Sequence, residues 1–585
     1  MHRSAKKLGI VIAAVGVAGC ASGERRFPLR EPMWRDTDLA SVNARCHKEP
    51  TKKDPNHVSC APAQYDSAMF WDGQDNLVFR PLSEALRLTQ SGEAVNVNSV
   101  DEVPDSAWFT NRIGKRAIST AELRLGACTP AQILDPAHAA DGTWIVDKGK
   151  TEGETPGFRI VVPGKGKYLL KAETLSNAPE REAASSVVGA TVYWAAGYNT
   201  ACEQVIYVRP SIFKLKPGLV YRKNEVDSFG DLVPFDQKVL DGILANSTKR
   251  DGLVRLSASA WIPGYGIGEY RYEGTRENDP NDVIPHEDRR ELRAMRLLAA
   301  WIDRHDAREG NTLDSWFADA HDPPDSSPGH VVHYQLDTSE SLGGLWAWDP
   351  ISRRLGRSYV LDWGDIAKDY VTLGIPLRPW DTVAITPGQG VFGYFDVKHF
   401  DPAAWKNEYP NAAFSRMTER DGAWMARILS HFTPEMVAAL AEIADFSSPG
   451  HTAYLAQTLE GRLERILARY LTRLSPIADV HMEGADTVCG VNLAELRGVR
   501  PAASFQYAAT WDKKIPLRLS KRPGAVVCVT LPHIAGDGGP REDAPERYVR
   551  VTVVDGVAHG PLVVDLYDLG PSRGFRLAGL ERPEP

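Results

Sequence analysis

The sequence lacks the short motifs that would assign a familiar chemistry at once. It contains no G-x-S-x-G and no H-E-x-x-H, which argues against an α/β-hydrolase and against a zincin metalloprotease. It has no CxxC pair and no closely spaced His and Cys cluster, so a thiolate-bound metal is not expected. Basic residues are also fewer than acidic ones. The 68 Lys and Arg against 76 Asp and Glu give a net charge of −8, which argues against broad nucleic-acid binding.

Long apolar runs are missing as well, except at the N-terminus. No other stretch approaches the roughly eighteen apolar residues of a membrane-spanning helix. At the N-terminus, three basic residues precede an apolar run over residues 8–19, which ends in Val-Ala-Gly directly before Cys20. A basic region, a short apolar region and small residues at the cleavage site are typical of an export signal.

Small residues before a cysteine resemble the lipobox of bacterial lipoproteins. The resemblance implies a signal peptide over residues 1–19, cleavage before Cys20 and acylation of its thiol. Because Ala21 rather than Asp follows, it also implies lipid anchoring to the outer membrane of a Gram-negative cell, on its periplasmic or surface face. The alternative is a plain secretory signal that leaves Cys20 unmodified.

Export changes the interpretation of the other cysteines, because an even number of them in an oxidising compartment favours disulfides. Their clustering along the chain suggests three pairs, although spacing alone leaves the pairing open: Cys46 with Cys60, Cys128 with Cys202, and Cys489 with Cys528. Buried free thiols are the alternative for each pair.

A β-hairpin followed by a helix is predicted in the middle of the first half. Residues 158–162 and 168–172 read as strands joined by Pro-Gly-Lys-Gly-Lys, with Lys171 in the second strand. A helix is expected over residues 179–196 with acidic residues in its first turn, and a strand over 203–210. A strand lysine held by a helix glutamate is how a kinase positions its phosphate-binding lysine, and Glu182 is the preferred partner, with Glu180 as the alternative.

A second set of polar residues follows a predicted helix that starts near Pro285. His305-Asp306 is followed five residues after the Asp by Asn311, which is the spacing of a kinase catalytic loop. One turn then aims an Asp at a substrate hydroxyl while the Asn reaches a metal held on the phosphates. Asp337, at the end of a predicted strand, would complete the metal site. D-x-x-x-x-N alone is a weak signal that occurs by chance in long chains.

Longer phrases over residues 80–480 resemble a family of exported bacterial proteins with a kinase-like domain of the HipA and CotH type. They are VDEVPDSAWFTNRIG, TPGFRIVVPGKGKYLLKAE, YRYEGTRENDPNDVIPHEDRRELR and HDAREGNTLD. The resemblance implies Asp306 as the base, Asn311 and Asp337 as metal ligands, and Lys171 as the phosphate-binding lysine. It further implies a nucleotide with Mg²⁺ or Mn²⁺ as cofactor.

The expected fold class is α+β, a protein-kinase-like two-lobed domain followed by a C-terminal all-β, sandwich-like domain. Residues 20–100 would form a tether and a disulfide-clipped extension, 101–215 the N-lobe, 216–478 the helical C-lobe and 479–585 the β-domain. In that last region short strands alternate with turn residues at regular spacing, which is typical of a small β-sandwich.

Two departures leave a non-catalytic scaffold open as the alternative function. Thr338-Ser339 follows Asp337 where relatives more often have Phe-Gly, whereas Asp362-Trp363-Gly364 is closer to that triplet. No G-x-G-x-x-G phosphate loop is present, and little ATP is expected outside the cytoplasm. Such a scaffold would bind an envelope protein or a glycan.

A metal hydrolase built on the Asp and His residues of 319–333 is a weaker alternative, because polar loops of this kind are usually solvated.

Replacing Cys20 with Ser should abolish lipidation and release the protein from membranes, because the thiol is the predicted acylation site. Fractionation of cells, together with mass spectrometry of the N-terminal peptide, measures both effects. Retention of the substituted protein in the membrane fraction at the level of the parent would contradict the lipobox interpretation.

Overall fold

The computed structural model describes most of the chain after its first 25 residues. The described residues are 26–30, 36, 38–50, 54–67, 69–86, 92–150, 155–173, 179–222, 232–320, 325, 327–344, 349–538 and 541–584. The predicted signal peptide and Cys20 lie outside them. In the described part, no helix combines the length and the apolarity needed to cross a bilayer.

The N-terminal extension packs on the central part of the chain. It contains the short strands β1 (His47–Lys48) and β2 (Val58–Ser59), then α1 (Met69–Gln74), a π-helical turn over Asp75–Phe79 and α2 (Arg80–Ala85). Helix α3 (Thr120–Leu125) follows the extension, after residue 100. The Cys46–Cys60 disulfide closes the β1–β2 pair.

A mostly antiparallel sheet, with one parallel pair of strands, follows in the region expected to be the N-lobe. Its elements and those around it are β3 (Trp144–Gly149), β4 (Gly157–Val162), β5 (Gly166–Ala172), α4 (Arg181–Ala196), β6 (Asn199–Thr200), β7 (Glu203–Val208), β8 (Phe213–Leu215), β9 (Val220–Arg222), β10 (Leu232–Pro234), α5 (Gln237–Ala245), β11 (Lys249–Arg250) and β12 (Leu253–Ala260). The hairpin, the helix and the strand after it match the predicted elements closely.

The order of strands in this sheet is β7-β12-β5-β4-β3-β8, with β11 beside the start of β12 and with β3 and β8 as the parallel pair. β12 lies between β5 and β7 and pairs antiparallel with both. The sheet therefore takes a central strand from residues beyond 215, the expected end of the N-lobe. Local strand patterns could not show this, because β12 joins the sheet across a long connection.

The helical part contains a small sheet that the site depends on. In chain order its elements are β13 (Tyr265–Gly266), α6 (Arg290–Ile302), β14 (Thr312–Ala318), β15 (Gly329–Gln335), α7 (Asp349–Ser352), α8 (Trp363–Thr372), α9 (Glu419–Leu429), α10 (Pro434–Ile443) and α11 (Pro449–Tyr470). β14 and β15 form an antiparallel hairpin, with Thr312 opposite Gln335 at its end. Helices α4, α6, α9, α10 and α11 share one hydrophobic core.

The last hundred residues form two packed sheets, as predicted. Their elements are β16 (Ile477–Glu483), β17 (Thr487–Asn492), α12 (Leu493–Leu496), β18 (Ala508–Trp511), β19 (Ile515–Pro516), β20 (Arg518–Arg522), β21 (Val526–Thr530), β22 (Tyr548–Val554), β23 (Leu562–Asp568) and β24 (Phe575–Glu581). One sheet runs β16-β17-β21-β20 and the other β19-β18-β22-β23-β24, and apolar residues of both fill the space between them. The α+β class with a C-terminal β-sandwich is confirmed.

The three predicted cysteine pairs are all disulfides in the structure. Cys128–Cys202 ties the segment before the sheet to the start of β7, and Cys489–Cys528 joins directly opposed residues of β17 and β21. Three disulfides are what an oxidising, exported environment favours.

The aromatic pair at 108–109 serves in core packing. Trp108 stacks on His333 with ring centroids 3.4 Å apart, and Phe109 packs against Tyr198 and Trp424. Gly197 lies under the Phe109 ring, so close that a Cβ there would overlap the ring.

Gly197→Ala should therefore destabilise the protein, whereas Gly242→Ala should not. Gly197 has a φ of +136°, and an added Cβ would meet Phe109, so we expect a loss of about 2 kcal/mol or more. Gly242 lies inside α5 with open space around it, so alanine there should add about 0.5–1 kcal/mol through helix propensity. Thermal melts of both variants compare the two effects. Equal melting temperatures would show that the Phe109 contact does not constrain the fold.

Candidate active site

Lys171 and Asp337, which the sequence assigns to one site, are in direct contact. The Lys171 Nζ on β5 lies 2.6 Å from Asp337 Oδ2, just after β15. Burial alone would raise the pKa of Asp337, but the Lys171 ammonium and the Ser339 hydroxyl hold that pKa well below its usual range. Asp337 has a φ of +40°, a conformation that residues other than glycine rarely adopt and that is often found at functional sites.

Asp306 and Asn311 are brought together by the loop that follows α6. The Asn311 side-chain nitrogen donates to Asp306 Oδ2 at 2.9 Å and to the Asp306 carbonyl at 2.8 Å. The Arg308 guanidinium forms an ion pair with Asp306 Oδ1 at 2.9 Å. Because the amide nitrogen faces Asp306, a metal bound by Asn311 would have to use the amide oxygen.

The β14–β15 hairpin places these two pairs side by side. Asn311 precedes β14 and Leu336 follows β15, and the Leu336 backbone N–H donates to the Asn311 carbonyl at 2.9 Å. Asn311 and Asp337 therefore lie at the same end of one ladder. Arg304, fully buried, also donates to the Leu336 carbonyl at 2.6 Å and to the Gln335 side chain at 2.8 Å. The sheet lysine, the loop Asp–Asn pair and the strand-end Asp thus form one cluster.

Helix α4 fixes the backbone that follows Asp337. Thr338 Oγ1 donates to the Ser186 carbonyl at 2.9 Å, and Ser185 Oγ donates to the Ser341 carbonyl at 2.8 Å. The buried Arg181 guanidinium, at the start of α4, donates to the Gly343 carbonyl. A helix that follows the lysine strand and holds the loop after the Asp predicted as a metal ligand is the arrangement expected of a kinase-like site.

The ion pair of Lys171 is with Asp337, and the expected partner Glu182 acts on the lysine only through its nearby charge. Glu182 accepts a hydrogen bond from Thr155 Oγ1 at 3.3 Å, while the lysine pairs with Asp337. Burial and the nearby charge of Glu340 raise the pKa of Glu182 to about 7. A partly protonated Glu182 is a weaker partner for an ammonium than the ionised Asp337. Glu180, the alternative, instead accepts from the Ser447 backbone and hydroxyl.

Two buried groups beside the site carry no local sequence signal. Glu173, at the end of β5, accepts from Arg255 of β12 at 2.7 Å and from the Ala183 backbone N–H at 2.7 Å. It thereby joins the lysine strand to α4. Glu173 directly follows β5, and its partner Arg255 is distant in sequence, so no local pattern indicates the pair.

The second buried group is centred on His305, which directly precedes Asp306 in the sequence. Its Nε2 lies 3.4 Å from both Glu340 and Glu408. Burial would lower the pKa of His305, but these carboxyls raise it to about 9. Burial, and then the charge of Asp306, raises the pKa of Glu408 to about 8. The carboxyls thus favour the protonated form of His305, and burial favours the protonated form of Glu408, behind the candidate base.

The alternative metal residues serve structural roles. Asp362 caps α8 through the Asp365 backbone N–H and pairs with Lys406 at 2.5 Å, which favours Asp337 as the metal ligand. In the 319–333 region, the described acids and histidines pair with scattered partners: Asp319 with Ser41, Asp325 with His57, and His333 with Asp314. Among the described residues, the metal-like cluster is Glu483 with Cys489 and Cys528, and both cysteines are in a disulfide.

Comparisons with known proteins add little. No family model matches the chain, and no curated protein matches it. A solved structure, a Helicobacter pylori proinflammatory kinase named CtkA, is similar over 55% of this chain and 94% of that chain, at 9% identity and a TM-score of 0.27. So low a TM-score carries no weight in assigning the site, which rests on the contacts described above.

Glu408→Gln should flatten the pH dependence of stability between about pH 5 and pH 8, where the folded carboxyl keeps a proton that the unfolded one loses. A carboxyl whose folded pKa is raised stabilises the fold fully below its unfolded value of 4.5, and this contribution is lost as the pH rises through about 8. His305 acts in the same direction, because its stabilisation is lost as the pH rises through about 9. Glutamine cannot ionise, so the melting temperature should fall less between about pH 5 and pH 8 than in the wild type.

Glu464→Gln, on the exposed face of α11, is the matched control and should follow the wild-type curve. Parallel curves for the wild type and for Glu408→Gln would contradict the assignment of a neutral carboxyl to Glu408.

Proposed function

We propose that this chain is an exported, lipid-anchored phosphotransferase with a protein-kinase-like site, in which Asp306 is the base. The observation that carries the proposal is the meeting of Lys171, Asp337, Asp306 and Asn311 in one cluster, each on the element that a kinase uses for it. Chance occurrence of D-x-x-x-x-N would not bring a strand lysine and a second aspartate to the same place.

The donor chemistry fits a hard divalent cation. The amide oxygen of Asn311 and the carboxylate of Asp337 are the kind of ligands that Mg²⁺ and Mn²⁺ prefer, and they lie at the same end of the β14–β15 ladder. A metal bound there would neutralise charge on nucleotide phosphates. Lys171, now paired with Asp337, has the charge and the strand position to contact the phosphates when a ligand is present.

Asp306 has the position of a base that accepts the proton of a substrate hydroxyl. It is half-buried, and Asn311 and Arg308 orient its two oxygens. The Arg308 side chain is largely exposed, so a substrate could displace it from Asp306. His305, behind the loop, is held between Glu340 and Glu408 and fixes the backbone from which Asp306 projects.

A non-catalytic binding scaffold is the second candidate. Both carboxylates of the site already pair with a cation of the chain, Asp337 with Lys171 and Asp306 with Arg308. A cluster neutralised in this way is stable without a metal, as a pseudokinase site would be. The envelope protein or glycan partner expected from the sequence belongs to this alternative.

Thermal melts with an ATP analogue and Mg²⁺ or Mn²⁺ should distinguish the two. Saturation at about 100 times the dissociation constant would stabilise the wild type by about 2.7 kcal/mol. Asn311→Ala and Asp337→Asn should remove the metal-dependent part, because each loses a ligand oxygen or its charge, and Lys171→Ala should weaken binding. Asp306→Ala should keep the shift and lose only phosphate transfer, since a base acts on the hydroxyl.

Asp362→Ala is the control, because Asp362 is also an aspartate in an ion pair with a lysine but caps α8. It should keep the full ligand-induced shift. If neither metal with the nucleotide shifts the wild-type melt, the scaffold is favoured. If Asp362→Ala removes the shift, the metal ligand is misassigned.

A further inference from the structure

Large apolar side chains of the described residues are most exposed at the end of α8. Residues 370–377, YVTLGIPL, contain no charged residue, and we call this stretch the apolar tip. It holds the five most exposed large apolar side chains of the described chain: Tyr370 (85%), Val371 (81%), Leu373 (84%), Ile375 (81%) and Leu377 (78%). So dense a cluster is unusual for a surface that faces only water.

The turn that carries the apolar tip is hydrogen-bonded internally. The backbone N–H groups of Gly374 and Ile375 donate to the carbonyls of Asp369 and Thr372, so the turn after α8 satisfies part of its own hydrogen bonding. Just beyond the tip, Trp380 is buried against Val383 and Tyr394. A backbone that is internally hydrogen-bonded can leave water at a lower cost than an open loop.

The residues around the apolar tip favour a lipid surface over a protein partner. Lys368 and Arg378 flank it on either side, and Arg378 pairs with Asp369 at 2.6 Å, so Lys368 is the long cationic side chain with which the edge of the apolar segment can reach phosphate headgroups. Helix α2 packs against α8, and Leu82 on α2 and Leu86 just after it are further exposed apolar side chains. A lipid on Cys20 would keep a bilayer close to this surface, and two weak membrane contacts bind more firmly than one.

We propose that the apolar tip inserts into the interfacial region of a phospholipid bilayer and provides a membrane contact beyond the predicted lipid at Cys20. The proposal goes beyond phosphotransfer and does not need the site to be active. Insertion of the tip would also determine how the protein is oriented on the bilayer. Arg80 of α2 pairs with Glu309 at 3.1 Å, three residues after Asp306, so the surface next to the tip is joined to the candidate catalytic loop.

Lipid contact can be measured at single positions in the full chain, reconstituted in phosphatidylcholine vesicles. Val371→Cys and Val283→Cys are matched variants, since both valines are highly exposed, Val283 at 70%, and Val283 lies outside the apolar tip. Each is labelled with an environment-sensitive nitrobenzoxadiazole dye, and the parent chain gives the background labelling. We expect lipids with a doxyl spin label on the acyl chain to quench the dye at 371 and to leave the dye at 283 unquenched.

Adding Leu373→Asp and Ile375→Asp to the Val371→Cys chain should abolish this quenching, because two charges in place of two apolar side chains oppose insertion. Survival of the quenching in that variant would mean that the dye itself inserts, which overturns the proposal. Absence of quenching at 371, or equal quenching at 283, also overturns it. A blue shift at 371 that needs no vesicles and grows with protein concentration would assign the tip to a second copy of the chain instead.

Discussion

A buried guanidinium has to find acceptors inside the protein, and the candidate site depends on how Arg304 finds them. It is fully buried two residues before Asp306, and it lies over the ring of Tyr193 from α4, 5.1 Å from the ring centroid. Its acceptors are the side chain of Gln335, the last residue of β15, and the carbonyl of Leu336, which precedes Asp337. Leaving those donors unpaired would cost several kcal/mol, so the loop of Asp306, helix α4 and the end of β15 are held in one arrangement.

A second buried ionic cluster joins the helical part to the β-sandwich. Asp101 accepts from Arg290 of α6, Arg427 of α9 and Arg582 near the end of the chain. Burial opposes ionisation of Asp101, but the three guanidinium groups hold its pKa well below the usual range. Removal of the carboxylate would leave three buried cations to repel one another. The relative position of the two parts is thus determined by charge pairing as well as by apolar contact.

Much of the fold could be predicted from local patterns in the sequence. The Gly-rich turn with alternating strands around Lys171, the amphipathic helices and the short strands of the sandwich all follow from spacing that lies within a few residues. The cysteine pairs could be predicted because each pair lies in one region. Contacts between distant elements could not be: β12 enters the N-lobe sheet from beyond residue 215, and Lys171 pairs with a residue 166 positions away. Glu408 is buried beside His305 although nothing near it in sequence indicates a site.

The contact between Phe27 and the β-sandwich bears on the order in which the chain can fold. Phe27 packs on Tyr567 and Ala578, and its carbonyl accepts from the Tyr567 hydroxyl at 2.9 Å, across 540 positions of sequence. A chain that emerges N-terminus first exposes Phe27 long before β23 and β24 emerge. The segment around Phe27 must therefore wait for the last strands, and its docking closes a loop of 540 positions, a step that only a fully emerged chain can complete.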